Sequence, residues 1–404
     1  MNVAIKQRIG IVGTGSRGTY FGMLINRSQK AELVALCDPN AARMEAVAQR
    51  LGKAYNVYTD IENMAGNESL DAVVITSPDY CHVPNVKTAL SKGLNVLIDK
   101  PLATTTAGCR EIIKAAGKSG KTVMMGFNLR HDPTLKRLKQ IVDDGLLGNI
   151  FLIENREFYD GGKTYMSRWN RKYALSGGLW VHKGSHDFDV FNWLLGFPKP
   201  FKVAATAGIN AFASDKLPFK LETGKELGPT CTKCLYAAVC PDCYSDAAKS
   251  PEWSEAAVKV DNYAKDLCMY MSDKDTHDNG IAIVEYENGA RASHMECFVT
   301  SVVADRLYTV IGDKGQSEVS LHDRTIKVRP RWSKEIITYT IPRAEGGHGG
   351  ADPKLLESFL NVISGNTLNT STIEQGMVAT AIGEAAEISR RENKMIFVQD
   401  LMSE

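Results

Sequence analysis

From Arg8 to Gly126 the chain alternates short apolar runs with amphipathic stretches of helical period. The runs are IGIV, AELVALCD, NVYTD, DAVVITSP, NVLIDKP and TVMMGF. Between them come a Gly-rich turn leading into a helix, a helix from Pro39 to Leu51, another near Ile61, and helices at VPNVKTALSKG and TTTAGCREIIKAAGKSG. Strands that are apolar at nearly every position suit a sheet covered on both faces, and their regular alternation with helices implies parallel pairing. The pattern therefore predicts a doubly wound α/β domain over residues 1–126.

After the helix DPTLKRLKQIVDDGLLG the period falls to two, in IFLIENREFYD, FKVAATAGINAF, GIAIVEYENGARASHMECFVT, DRLYTVIGDKGQSEVSL and TIKVRPRW. Alternation of this kind marks strands with one covered face. Residues 127–404 are expected to form an α+β domain around a large, mostly antiparallel sheet. A helical segment from Gly178 to Leu195 and an irregular insertion of roughly Ser214 to Lys265 interrupt the strands. Helices from Pro353 to Ile363 and from Thr372 to Arg391 close the chain.

A length of 404 residues agrees with two cores better than with one. Lysine plus arginine (48) nearly balances aspartate plus glutamate (47), so bulk charge gives no hold on a polyanion and no nucleic-acid partner is expected. The first apolar run is too short and too rich in glycine for a signal peptide or membrane span, which points to a cytoplasmic protein with no membrane partner. An apolar face on the second sheet favours a homo-oligomer, because such faces are seldom left in water.

The first candidate chemistry lies in GIVGTGSRG, where Gly13, Gly15 and Gly18 sit between a strand and a helix and Asp38 ends the next strand. Gly13 allows the tight turn, Gly15 lets the backbone approach a pyrophosphate, and Gly18 lets the helix pack closely. The helix N-terminus then holds the phosphates and Asp38 the ribose hydroxyls of a dinucleotide. A carboxylate there repels a 2′-phosphate, which favours NAD over NADP, while Arg17 and Arg43 are placed to soften that preference.

Ligands of doubly wound sheets bind beyond the carboxyl ends of the strands, where TSPDYCHVP and DKP fall. Lys100 in DKP is positioned to hydrogen-bond a substrate hydroxyl or the alkoxide formed from it. In SGGLWVHKGSHDFDVFNWLLG, a continuous helix would put His182, His186 and Asp189 on one face and Lys183 and Asp187 in a second row. His186 is the natural general base, since imidazole titrates near working pH.

These segments together resemble the Gfo/Idh/MocA oxidoreductases over nearly the whole chain: the glycine turn, SPDYCH, DKP in place of Glu-Lys-Pro, GFNLRHDP, and SGG followed by GSHDFDVFNWLLG. The resemblance implies a Rossmann domain and hydride transfer between a sugar or cyclitol carbinol and a nicotinamide, with Lys100 and His186 as the acid/base pair. It implies cofactor contacts from Ser16, Arg17, Arg43, Ser77, Pro78, His82, Asp99, Asn128, Trp169 and Arg171. Substrate contacts would come from Arg130, Lys183, Asp187 and His348, with Asp352 nearby. Two departures stand out. Asp99 replaces the usual glutamate, and His182 occupies the position where many members carry the aspartate of a Lys-Asp-His set. His182, Lys183 or Asp187 is left to fill that role.

The insertion carries CTKCLYAAVCPDC, with Cys231, Cys234, Cys240 and Cys243, and Cys268 follows. Paired CxxC units suit tetrahedral thiolate coordination, so a structural zinc or an iron–sulfur cluster competes with unliganded thiols. Either Cys243 or Cys268 could be the fourth ligand. The expected activity is NAD-dependent oxidation of a secondary hydroxyl on a small-molecule sugar, cyclitol or glycoside, the 3-hydroxyl of a glycoside among them. Two rivals are a redox-neutral enzyme that cleaves glycosides with retained NADH, and a non-catalytic NAD-binding sensor.

Overall fold

The computed structural model describes residues 6–246, 250–300 and 304–403. Six strands, β1 (Gln7–Val12), β2 (Ala31–Cys37), β3 (Asn56–Tyr58), β4 (Ala72–Ile75), β5 (Asn95–Ile98) and β6 (Val123–Met125), form one sheet in the order β3-β2-β1-β4-β5-β6. All pairings are parallel. Every residue of β4 is fully buried, as a strand covered on both faces requires. The strand order reverses between β1 and β4, and a crevice opens there beyond the strand ends.

The second sheet has nine strands: β7 (Ile150–Phe158), β8 (Pro200–Gly208), β9 (Asn279–Tyr286), β10 (Arg291–Cys297), β11 (Asp305–Gly312), β12 (Gly315–Ser320), β13 (Thr325–Pro330), β14 (Ile337–Thr340) and β15 (Ile396–Phe397). Their order is β14-β13-β12-β11-β7-β10-β9-β8-β15. The pairing is antiparallel except between β10 and β7, which run parallel. One face packs against the helices Ser185–Leu195 and Ile373–Glu392. The other leaves Leu152, Phe158, Ile281 and Ile283 exposed.

The helix Ile373–Glu392 joins the two halves. Gly376 lies so close to β6 that a Cβ there would stand 2.8 Å from the Met125 sulfur. One apolar cluster runs from Val73, Val96 and Met125 through Ile382 and Ala386 to Val203, Ala282 and Val310. A shared core of this kind fixes the crevice between the halves.

Two expectations need correction. The segment Gly178 to Leu195 is two helices, Leu179–His182 and Ser185–Leu195, broken at Lys183 and Gly184. The insertion fills the whole span between β8 and β9, so Cys268 belongs to it. It contains only short elements, such as the turns Cys231–Lys233 and Pro251–Trp253 and the helix Glu255–Asp261. Among the described residues, no helix is long and apolar enough to cross a membrane.

Candidate active site

The glycine turn has the geometry its spacing implies. Gly13 has φ +90°, and a Cβ on it would lie 2.5 Å from the Ser77 amide nitrogen; one on Gly18 would lie 2.0 Å from the Gly13 carbonyl oxygen. A Cβ on Gly15 would meet nothing within 4 Å, so open space lies beside the backbone where a pyrophosphate needs it. The helix Ser16–Arg27 begins there with no side chain capping it, leaving its first N–H groups for phosphate oxygens. Asp38 follows β2, its carboxylate oriented by the amides of Thr14 (2.8 Å) and Asn40 (2.9 Å). This donor and acceptor set fits NAD.

A cavity of about 1150 Å³ extends from this turn. Gly13, Gly15, Ser16, Arg17, Asp38, Arg43, Ser77 and Pro78 line it, as do Trp169, Arg171 and His182. The insertion, expected from the sequence to shape one wall of the cleft, supplies the far wall through Trp253, Asp261, Tyr263 and Lys265. Arg43 is taken up by that wall: it bonds Asp261 at 2.7 Å, and its guanidinium lies 4.5 Å from the Trp253 ring centre. Arg17 is likewise engaged, by Asp99 (2.8 Å) and Asp352 (3.0 Å). Burial opposes its charge, but the two carboxylates outweigh it and raise its pKa. His348 and Asn128 also bond Asp352, at 2.7 and 3.0 Å, so these expected contacts form one network linking the glycine turn to the helix Gly347–Ile363. His82 sits between the carbonyls of Ser77 (3.0 Å) and Pro101 (2.7 Å), joining the SPDYCH and DKP turns.

Lys100 emerges from the end of β5, and its Nζ donates to the His182 carbonyl at 2.5 Å. Burial lowers its pKa, against the pull of Asp79 and Asp99. His182 is held at both ring nitrogens: Nδ1 meets Asp79 at 2.7 Å and Nε2 meets the Asn170 amide at 3.0 Å. With Asn170 donating, the neutral imidazole carries its proton on Nδ1 and gives that hydrogen bond to Asp79. Burial, then the charges of Lys100 and Lys183, push the His182 pKa well down. Burial raises Asp79, opposed by His82 and Lys100.

His186 differs. It is 9% exposed, and its Nδ1 is buried without a hydrogen-bond partner among the described residues. Burial first, then Lys100 and Arg306, drive its pKa well below the usual imidazole range. The result is a neutral ring in the field of the Lys100 charge, with a buried Nδ1 that has no partner.

The helix break separates the other expected groups from the cleft. Lys183 pairs with Glu157 at 2.6 Å. Asp187 accepts from the Tyr308 hydroxyl at 2.7 Å and pairs with Arg306 at 3.1 Å. Arg130 grips Asp189 with two hydrogen bonds, of 2.8 and 2.5 Å. Arg130, Lys183 and Asp187 thus each have a charged partner from another element. Asp79, which the sequence reading did not single out, is buried against the His182 ring instead. Its signal was its place inside SPDYCH.

A parallel sheet with a dinucleotide-fitting turn, joined to a sheet-based second half with a lysine and a histidine at the junction, defines a nucleotide-dependent oxidoreductase. The chain matches the family described as "Oxidoreductase family, NAD-binding Rossmann fold" over residues 7–127 and its "C-terminal alpha/beta domain" over residues 139–398. It belongs to the Gfo/Idh/MocA oxidoreductase family. The oxidoreductase YteT of Bacillus subtilis is 30% identical over 363 residues, 82% of each chain. An inositol 2-dehydrogenase/D-chiro-inositol 3-dehydrogenase of Halalkalibacterium halodurans is 31% identical over 194 residues, 46% of this chain and 52% of that one. The solved scyllo-inositol dehydrogenase of Lactobacillus casei, with NAD(H) and scyllo-inositol, superposes with a TM-score of 0.71 at 21% identity, covering 98% of this chain and 100% of that one.

Proposed function

We propose that the protein is an NAD-dependent dehydrogenase acting on a secondary hydroxyl of a sugar, cyclitol or glycoside. The observation that carries this reading is the buried His186 ring, whose Nδ1 has no partner and which burial and the Lys100 charge keep neutral. Lys100 donates to the substrate oxygen and steadies its developing negative charge, while His186 accepts the hydroxyl proton. Bound NAD supplies the hydride acceptor. The role of the absent family aspartate falls to Asp79, which fixes the His182 ring; the carbonyl of His182 in turn holds Lys100 in place. Similarity to an inositol dehydrogenase supports a polyhydroxylated ring as substrate.

The redox-neutral cleavage reading draws support from the wall that the insertion places over the cofactor cavity, since an enclosed dinucleotide is suited to being reduced and then reoxidised without leaving. The same reading places domains at 1–126 and 127–404, a cytoplasmic location and a homo-oligomer formed over the exposed apolar sheet face.

The test supplies purified protein with NAD and a panel of free sugars, inositols and glycosides, following NADH and product mass. Substrate-dependent NADH with a product two hydrogens lighter is the expected result. Aglycone release without net NADH would transfer the reading to redox-neutral cleavage. Tight NAD binding with no turnover across the panel would overturn it in favour of a sensor.

A further inference from the structure

The cysteines of the insertion, Cys231, Cys234, Cys240, Cys243 and Cys268, line a space of about 20 Å³. Burial raises the Cys231 and Cys240 thiols, and among the described residues no group of three or more His, Cys, Asp or Glu side chains is arranged to hold a metal ion, which corrects the expectation of a zinc or iron–sulfur site.

A buried titratable group with no part in the proposed reaction lies behind the helix Leu179–His182. His277 is fully buried just ahead of β9, and its Nε2 donates to the Glu296 carboxylate at 2.5 Å. The other Glu296 oxygen meets His294 Nε2 at 3.4 Å, and His294 Nδ1 meets the Asn155 amide oxygen at 2.5 Å. The Asn155 amide nitrogen donates to the Leu307 carbonyl at 3.3 Å, which turns its oxygen toward His294. With an acceptor at each ring nitrogen, His294 carries both protons. Burial opposes its charge, but Asp187 and the bond to Glu296 outweigh it and raise its pKa. Burial likewise opposes the Glu296 charge, and the bonds from His277 and His294 outweigh it. The line is anchored on β10, β7 and β11, so the centre of the second sheet holds the His277 ring.

That ring supports Trp180, which is fully buried. The two ring centres lie 4.7 Å apart at 37°, and Phe298 stacks on His277 at 6.4 Å and 25°. A Cβ on Gly280 would lie 2.7 Å from the indole Cζ2, and one on Gly383 would lie 2.6 Å from the Trp180 carbonyl oxygen, so ring and backbone are both closely confined. Neither Trp180 Nε1 nor His277 Nδ1 has a hydrogen-bond partner among the described residues. Packing between the rings therefore sets where the indole sits. Trp180 stands on a helix of one turn, which has little stability of its own and takes its place from what it packs on. Two residues further on, the His182 carbonyl holds Lys100 Nζ at 2.5 Å.

We propose that His277 is a positioning residue for Lys100: held by Glu296, its ring seats Trp180, and the helical turn fixed in this way carries the carbonyl that aims the Lys100 ammonium. The proposal rests on the reading of Lys100 as the donor to the substrate oxygen. Being fully buried, His277 acts through Trp180 alone.

The experiment compares His277→Leu with His277→Phe in the full chain. Both lose the bond to Glu296, and only the second keeps a ring beneath Trp180. One readout is the pH dependence of Lys100 acetylation by acetic anhydride, followed by peptide mass spectrometry; the other is turnover with NAD and the substrate panel. The Lys100 charge answers to Asp79, Asp99, Lys183 and Arg17. Neither substitution alters these groups, so a shifted acetylation profile reports the displaced carbonyl. In His277→Leu the profile should shift and turnover should fall by roughly 10²-fold, with KM and the NAD dissociation constant within a small factor, while His277→Phe should recover most of both. Unshifted profiles in both variants would overturn the proposal, as would losses of equal size in the two, which mark a structural role only. If no substrate of the panel reacts, the dehydrogenase reading fails on turnover, and the acetylation profiles still decide the placement of Lys100. Should His277→Leu fail to fold, His277→Gln, which keeps a donor for Glu296 but lacks the ring, takes its place with the same expected losses.

Discussion

The two flanks of the helix Ser185–Leu195 hold charge in opposite ways. On the side facing the second sheet, Asp187, Arg306, Glu157 and Lys183 form a buried chain of ion pairs. On the cleft side, His186 has an unpartnered nitrogen and Lys100 a single backbone acceptor. Both flanks carry polar groups in an otherwise apolar segment. Spare hydrogen-bonding capacity distinguishes a reactive group from a structural one, because a buried group whose partners are complete has nothing left to offer a substrate.

The largest expected effects test the cleft side. His186→Ala and Lys100→Ala should each lower turnover by roughly 10²- to 10⁴-fold while the NAD dissociation constant, read by calorimetry, stays within a small factor. Loss of NAD affinity in step with turnover would erase the contrast between the flanks. Among the fully paired groups, Arg130→Ala leaves Asp189 buried and unpaired and should cost about 3–5 kcal/mol of stability in urea titrations. The KM of whatever folds should change little. A variant of full stability with a raised KM would mean that Arg130 works on the substrate after all.

Asp79 sharpens the comparison because it is buried and also belongs to the cleft. Burial raises its carboxyl to about 7, above its unfolded value. The stability this group contributes is therefore complete below about pH 4 and is lost as the pH climbs through the folded value. Asp79→Asn should flatten the fall in the urea midpoint between about pH 4 and 8 and should shift the pH profile of turnover through His182 and Lys100. An unchanged profile would reduce Asp79 to a packing residue. The smallest effect is expected at the rim: Asp261→Ala frees Arg43 to meet a 2′-phosphate, so the preference for NAD over NADP should narrow by about tenfold in paired dissociation constants.

The first half of the molecule was legible because its signals are local. Apolar strands, a glycine turn whose Cβ positions are blocked, and an aspartate at a strand end each declare themselves within a few residues. The second half depends on distant partners. A period of two is the same for parallel and antiparallel strands, so the β7–β10 pair could not be distinguished from its neighbours. The break at Gly184, where a Cβ would lie 2.7 Å from the Trp180 carbonyl, leaves the i, i+4 pattern of histidines intact on paper while turning His182 toward Asp79, 103 residues away. Lys100 and His186 were legible as candidates because each carries its signal within its own segment. The pairs that engage Lys183, Asp187 and Arg130 involve residues from other strands and helices.

The insertion is fastened to the cofactor domain at the helix Ala41–Arg50, where Arg43 bonds Asp261 and Arg50 bonds Glu252 at 2.7 Å each. Those two ion pairs tie the far wall of the cofactor cavity to the domain that carries the glycine turn, so any loosening of this cysteine-bearing loop would be felt first at the mouth of the dinucleotide site.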